Sequence, residues 1–164
     1  MRTLIRILVA VILFGGAAFA PPASGAEASA SITQAEVESF VSAFYRDLEQ
    51  DDLDKVMAHF DETVVYYTSG PKDRAFVANE LGQYCAYYPV RSLAPGPVKL
   101  KPSSKPDRVT VNFDLRSFLR NPDRDATMSG RSHVEWDLVK RDGALKITRF
   151  AGTAATEPSP SPSR

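Results

Sequence analysis

The sequence is poor in the residues that most often hold a metal ion or attack a substrate. Its 164 residues include one cysteine, Cys85, and two histidines, His59 and His133, which lie far apart along the chain. A single cysteine cannot form a disulfide within the chain, and the histidines lack the spacing of a metal site. We therefore predict no metal and no cofactor. We expect Cys85 to be a buried thiol on a helix and His59 to be solvated.

The sequence also lacks an excess of charge of either sign. Lysine and arginine total 20, aspartate and glutamate total 20, and the formal net charge is +0. A nucleic-acid-binding protein needs a basic surface that displaces counterions from phosphates. We therefore predict no nucleic acid partner. The balance also gives no reason to expect adsorption on an anionic membrane.

Long apolar runs are absent apart from one stretch near the amino terminus. Arg2 and Arg6 precede an apolar run over 7–20 that a pair of glycines interrupts, and small residues precede the bond after Ala26. This pattern is typical of a Sec signal peptide. We expect residues 1–26 to be removed, which makes the protein periplasmic or secreted with no stable membrane insertion. An uncleaved anchor is the alternative.

The strongest helix signal begins at Thr33, which forms the T-x-x-E pattern of a capping box with Glu36. Apolar residues then recur on one helical face, at Val37, Phe40, Val41, Phe44, Tyr45 and Leu48. Asp51 and Asp52 precede a second, short helix that carries Leu53, Val56, Met57 and Phe60. Acidic residues stabilise a helix amino terminus, so this acidic cluster is interpreted as a cap and not as a metal site.

The rest of the pattern predicts strands around one further helix. Asp73 caps a third helix that runs through Tyr88 before Pro89. Alternating or β-branched residues predict strands over 63–68, 98–101, 109–116, 133–138 and 145–147. No crossover helices separate the later strands, so we predict an α+β fold with a mostly antiparallel sheet. The domain spans 32–152, and the Pro/Ser-rich segment 153–164 is predicted to be disordered.

This order of segments resembles a known superfamily. A capped helix, then DLDKVMAHF, then VVYYTSG, a third helix and a meander ending in a DG turn resemble the nuclear transport factor 2-like (NTF2-like, or SnoaL-like) proteins of the secreted bacterial type. The resemblance implies a cone in which about three amino-terminal helices pack on a curved sheet around an apolar pocket. It also implies a homodimer through the sheet face. The superfamily contains isomerases, dehydratases, hydrolases and non-catalytic domains, so the resemblance does not set the function.

The residues of two catalytic branches are not reproduced. In the ketosteroid isomerase branch the general base falls at Thr68, the hydrogen-bond donor at Phe44 and the second acid near Val134, and none of these side chains can take the role. In the epoxide hydrolase branch the acid–arginine–acid group would be drawn from Asp114, Arg116 and Asp137. Strand alternation places Asp114 and Arg116 on the outer face of the sheet, away from the cone.

A branch that resembles scytalone dehydratase leaves weaker candidates. It would use His133 for proton transfer, with Tyr45 and Tyr66 among the tyrosines that orient a substrate. The competing interpretation places His133 on the outer side of the sheet and the tyrosines in the core rim. The catalytic candidates are therefore His133, Tyr66 and Tyr45.

The sequence best supports an exported domain that binds a small apolar or amphipathic ligand, or a protein partner, without turnover. The alternative is a cofactor-free lyase or isomerase that acts in the cone pocket. We predict that six residues line the pocket: Phe44, Met57, Tyr66, Tyr84, Phe113 and Trp136. A third hypothesis uses the outer sheet face as a dimer or partner surface. That face carries Thr110, Asn112, Asp114, Arg116 and Glu135.

Overall fold

A computed structural model describes residues 31–154 of the chain. The predicted signal peptide, 1–26, lies outside the described residues, and so does most of the predicted carboxy-terminal tail. Within 31–154, no helix combines the length and the apolar character that crossing a membrane requires.

Three helices form one layer of the fold, and each begins at the cap that the sequence predicts. They are α1 (Gln34–Glu49), α2 (Leu53–Ala58) and α3 (Arg74–Tyr87). Thr33 and Glu36 form the reciprocal capping box of α1. The carboxylates of Asp52 and Asp73 accept hydrogen bonds from backbone amides in the first turns of α2 and α3. These side chains satisfy amides that have no partner within a helix.

Seven strands form a single sheet against the helices. They are β1 (Phe60–Tyr66), β2 (Pro71–Asp73), β3 (Val90–Pro95), β4 (Lys99–Pro102), β5 (Arg108–Asn121), β6 (Ala126–Arg141) and β7 (Ala144–Ala154). The strand order is β2-β1-β7-β6-β5-β3, and β4 also pairs with β5. Every pairing is antiparallel except that of β1 with β7. The predicted α+β fold with a mostly antiparallel sheet is therefore confirmed.

Two boundaries near the first strand differ from the prediction. Phe60 is not part of α2, which ends at Ala58; it opens β1, where it lies opposite Ile147 of the parallel strand β7. The first strand ends at Tyr66, because Tyr67 adopts a φ of 46° and turns the chain. Pairing with β7, which local spacing does not reveal, sets where β1 begins.

The later strands are longer than predicted, and two strands, β2 and β3, were missed. β5 and β6 pair without a register shift from Arg108–Val139 to Asn121–Ala126. The parts of β5 and β6 next to the connecting turn carry many small and polar residues. They therefore lack the alternating apolar pattern on which the prediction relied. β3 was missed because an arginine, Arg91, occupies one of its two buried positions. β7 reaches Ala154, two residues past the predicted end of the domain.

The core is densest around Trp136, whose side chain is completely buried. Its indole ring stacks with Tyr45 and Phe150, at centroid distances of 5.7 and 5.4 Å. It meets Phe44 and Phe113 edge-on, at 4.9 and 5.1 Å. Offset and edge-on aromatic contacts of this kind add to the stabilisation from burial. This cluster therefore fills the cone between α1 and the middle of the sheet.

Arg91 joins two helices to strand β3. Its side chain is fully buried, and its guanidinium donates to the carbonyl oxygens of Leu48 (3.0 Å), Cys85 (3.0 Å) and Tyr88 (2.5 Å). It also pairs with the carboxylate of Asp51. The last carbonyls of a helix lack intrahelical partners and carry partial negative charge. One cation therefore satisfies the ends of both α1 and α3.

We predict that Arg91→Met lowers the free energy of unfolding by about 2–4 kcal/mol, because buried carbonyl groups lose their donor. Urea denaturation at neutral pH measures the loss. Arg120→Met is the matched control, since Arg120 is exposed on β5 and its replacement should change stability by less than about 0.5 kcal/mol. Equal losses in the two variants would contradict the role assigned to Arg91.

Candidate functional site

A cavity of about 410 Å³ lies between the helices and the inner face of the sheet. Helices α1 and α3 form one side, and strands β3, β5, β6 and β7 form the other. Most of its wall is apolar. The apolar side chains are Phe44, Leu48, Leu81, Leu93, Leu115, Leu119, Met128, Val134 and Phe150.

The register of β5 and β6 explains why space remains at this end of the cone. In the middle of the strands Val111 lies opposite Trp136 and Phe113 opposite Val134, and these side chains fill the core. Closer to the turn the same inner face carries Ser117 opposite Gly130, and Leu115 opposite Ser132. A serine side chain is too short to reach the helices, and glycine has no side chain. Part of the inner face of the sheet therefore makes no contact with the helices, and the cavity forms there.

The six residues predicted for the pocket wall separate into two groups. Phe44, Tyr66 and Tyr84 line the cavity. The other three do not line it, because they pack the filled part of the cone beneath it, and the prediction for them is corrected. These core residues are Met57, Phe113 and Trp136.

Four tyrosines bring hydroxyl groups to the apolar cavity. Tyr45, Tyr66, Tyr67 and Tyr84 all belong to its wall. The rings of Tyr45 and Tyr66 are held by packing, since they are only 4% and 9% exposed. Within residues 31–154 no side-chain hydrogen bond engages any of the four hydroxyls. The cavity therefore offers polar groups whose hydrogen-bonding capacity is free for a bound molecule.

The pKa values of these tyrosines indicate how the hydroxyls act. Burial raises the pKa of Tyr45 well above its ordinary value, and the nearby hydroxyls of Tyr67 and Tyr84 add to the shift. Burial also raises the pKa of Tyr66 and that of Tyr84, to about 12. A phenol with a raised pKa stays protonated near neutral pH. These groups therefore serve as hydrogen-bond donors and not as bases.

Glu80 is the one charged side chain in the part of this wall that the structure describes. It lies on α3 and is exposed at the rim of the cavity. Burial is the main cause of the raised pKa of Tyr66, and Tyr67 and then the negative charge of Glu80 add to it. The cavity thus combines neutral donors in its depth with one anionic group at its edge.

His133 lies on the outer face of the sheet, outside the cavity. Its Nδ1 is 3.2 Å from Oδ1 of Asp114, and both side chains are exposed. Arg116 is exposed on the same face, and Asp137 accepts a hydrogen bond from the Thr110 hydroxyl at 2.7 Å. The structure therefore brings neither His133 nor the acid–arginine–acid group to the cavity.

The prediction that His59 is solvated is wrong. Its Nε2 lies 2.9 Å from Oδ2 of the buried Asp47, and its ring meets Phe40 edge-on at 4.9 Å. α2 ends just before His59 and the chain turns into β1, so the ring faces α1. The sequence did contain a signal for this contact, because Asp47 is an acidic residue on the apolar stripe of α1, seven residues after Phe40. Neither Asp47 nor His59 lines the cavity.

Cys85 is half-buried on α3, and burial raises the pKa of its thiol above the ordinary value. Among residues 31–154, no group of three or more histidine, cysteine, aspartate or glutamate side chains is placed to hold a metal ion.

Comparisons with known proteins establish the fold. No family model and no curated protein matches the chain. ActVI-ORFA from Streptomyces coelicolor is similar at 21% identity and a TM-score of 0.63, covering 73% of this chain and 95% of that one. A candidate scytalone dehydratase from Novosphingobium aromaticivorans is similar at 14% identity and a TM-score of 0.66, with coverages of 74% and 83%.

A hexachlorocyclohexane dehydrochlorinase, LinA-type3 from Novosphingobium barchaimii, is similar at 10% identity and a TM-score of 0.61, covering 74% of this chain and 85% of that one. These proteins share the NTF2-like cone fold, so the resemblance stated from the sequence is confirmed at the level of fold. At such low identities a shared fold carries no assignment of chemistry.

The raised tyrosine pKa values predict a loss of stability in alkali. Above pH 10 the unfolded chain loses phenolic protons that the folded cavity retains, so stability falls as pH rises. Tyr45→Phe should make that decline shallower by about 0.7 kcal/mol per pH unit on average between pH 9 and pH 11, rising toward the one-proton limit of about 1.4 at higher pH. Urea denaturation of both proteins at intervals between pH 9 and pH 11 measures the slopes. Identical slopes would contradict the burial of the Tyr45 hydroxyl.

Proposed function

We propose that the protein binds a small, largely apolar molecule with hydrogen-bond-accepting oxygens in the cavity, and that it does so without turnover. The supporting observation is that four tyrosines share a mostly apolar wall. A volume of about 410 Å³ lies within the usual range of small-molecule sites, roughly 300–1,000 Å³. Apolar burial would supply affinity, and the phenol donors would orient the ligand's carbonyl or ether oxygens.

The wall favours a flat ring system. Tyr66 stacks on Phe150 at an interplanar angle of 6°, and Tyr45 stacks on Trp136 at 24°. Packed aromatic rings present rigid flat surfaces that suit another ring. The described wall contains no lysine, arginine or histidine that could pair with an anionic group. We therefore propose an uncharged aromatic or polycyclic ligand.

A second candidate function is proton transfer in the same cavity, as in a cofactor-free lyase or isomerase. Glu80 and Tyr66 favour it, because a carboxylate beside a phenol can remove a proton next to a carbonyl while the phenol donates to the resulting enolate oxygen. The fold is also that of the dehydrochlorinase and the candidate dehydratase named above. His133 has no part in this chemistry, since it lies outside the cavity.

The binding proposal predicts that filling the cavity removes affinity. Ser132→Phe places a ring in the space that the small side chain leaves, and it should weaken binding of the neutral fluorescent probe N-phenyl-1-naphthylamine by at least about tenfold. Fluorescence titration measures the change. Ser129→Phe is the matched control, because Ser129 is exposed three residues away on the outer face of β6. If Ser132→Phe fails to fold, Ser117→Leu makes the same test.

Unchanged affinity in a folded Ser132→Phe or Ser117→Leu variant would contradict binding in this cavity. An equal loss in Ser129→Phe would place the probe elsewhere.

The position of Glu80 predicts selectivity by charge. N-phenyl-1-naphthylamine and 8-anilino-1-naphthalenesulfonate share one ring skeleton and differ by a sulfonate. Removing the repulsive carboxylate through Glu80→Gln should strengthen binding of the sulfonate by about three- to tenfold. Binding of the neutral probe should change by less than about twofold. Parallel shifts for both probes would show that Glu80 acts through packing and not through its charge.

The same variant tests the second function. Deuterium exchange into the methyl group of 2-acetonaphthone, followed by NMR, reports proton removal next to a carbonyl. Exchange that is catalysed by the native protein and lost in Glu80→Gln would favour the lyase or isomerase interpretation over simple binding. Absence of catalysed exchange would leave proton transfer without support.

A further inference from the structure

The outer face of the sheet carries an unusual group of arginines near the β5–β6 turn. Arg116 and Arg120 lie on β5, and Arg131 lies on β6 directly opposite Arg116 in the register. All three are exposed. We call these residues, together with Phe118 between the first two, the arginine patch. Its members share one face because β5 and β6 pair without a shift along their whole length.

The charges of the patch are not neutralised by the protein. Side chains directly opposite each other on antiparallel strands have β-carbons about 5 Å apart, and like charges there are unfavourable. Among residues 31–154, none of the three arginines forms an ion pair. The neighbouring charges on the face do pair: Asp114 contacts His133, and Glu135 contacts Arg149. Near the turn, therefore, three cations of this face lack an ionic partner.

Apolar side chains are exposed among these cations. Phe118 is 42% exposed on the outer face of β5. Val90, which lies opposite Arg120 on the neighbouring strand β3, is 47% exposed. Arginine next to an exposed aromatic residue is the composition found at the energetic centres of protein interfaces. The patch thus combines cations with exposed apolar side chains, which a bound partner would bury.

We propose that the arginine patch binds an acidic peptide segment of another protein. Guanidinium groups match carboxylates through paired parallel hydrogen bonds. Arg116 and Arg120 are four residues apart on one strand, about 13 Å along it, which an extended acidic peptide can span. Phe118 lies between them and takes an apolar side chain of the peptide. The patch faces away from the cavity, so this inference is independent of the proposed function.

Neighbouring acidic residues favour a peptide over a wide anionic surface. Asp114 is exposed next to Arg116 on the same face, and Asp123 and Asp125 are exposed in the turn after β5. A lipid bilayer or a nucleic acid backbone that covered the patch would also meet these carboxylates. A narrow segment between Asp114 and the turn can contact the arginines while it covers fewer of these carboxylates.

A labelled hexaglutamate peptide tests the proposal by fluorescence anisotropy at low ionic strength. The triple variant Arg116→Gln/Arg120→Gln/Arg131→Gln should bind it at least about tenfold more weakly than the native protein. The matched control removes the same charge elsewhere, through Lys99→Gln/Lys101→Gln/Arg108→Gln, and should change the affinity by less than about twofold. Adding a phenylalanine to the peptide should strengthen binding to the native protein but not to Phe118→Ser.

Four outcomes would overturn the proposal. The native protein could fail to bind the peptide, or the two triple variants could lose affinity equally, which would indicate attraction by net charge alone. Phosphatidylserine vesicles could bind through the three arginines while the peptide does not. Sedimentation could show a dimer that the patch variant abolishes, in which case the occupant is a second copy of the chain.

Discussion

The arrangement of helices over the sheet depends on the buried guanidinium of Arg91. Helices α1 and α3 both end at this group, and the strand that carries it, β3, lies at the edge of the sheet. Leu48, near the end of α1, and Leu93, two residues after Arg91, both line the cavity. The interaction that anchors the helix ends therefore also sets the distance between the two sides of the cavity. A hydrophobic residue could fill the same volume but could not satisfy three carbonyl oxygens.

The cavity itself depends on small side chains at inward positions of two strands. Beyond Trp136 and Phe113, the inward positions of β5 and β6 include Ser132, Ser117 and Gly130, and Leu119 and Met128 follow nearer the turn. A close-packed interior leaves no such space unless the neighbouring side chains are too short to fill it. The aromatic cluster gives the rigidity, and the small residues beyond it give the volume. The buried tyrosines mark the boundary between the two regions.

Local signals in the sequence were sufficient for the helix caps, the alternation of β5 and β6, and the superfamily fold. They were insufficient wherever a distant contact decides the outcome. No local pattern marked Arg91, because its partners are carbonyl groups of two separate helices. His59 was predicted to be solvated because its partner Asp47 lies on another helix. Met57 and Trp136 were assigned to the pocket because an apolar face does not reveal which of its residues meet empty space.

The two faces of β5 carry opposite chemistry in alternating residues. Ser117 and Leu119 face the cavity, whereas Arg116, Phe118 and Arg120 face outward. The inner face offers neutral hydrogen-bond donors in a mostly apolar wall, while the outer face holds arginines that form no ion pair among residues 31–154. One strand therefore separates the two proposed binding surfaces, which differ in charge, by the thickness of the sheet. Adjacent residues of β5 belong to different surfaces. A single substitution on this strand can therefore alter one surface and leave unchanged the backbone pairing that supports both.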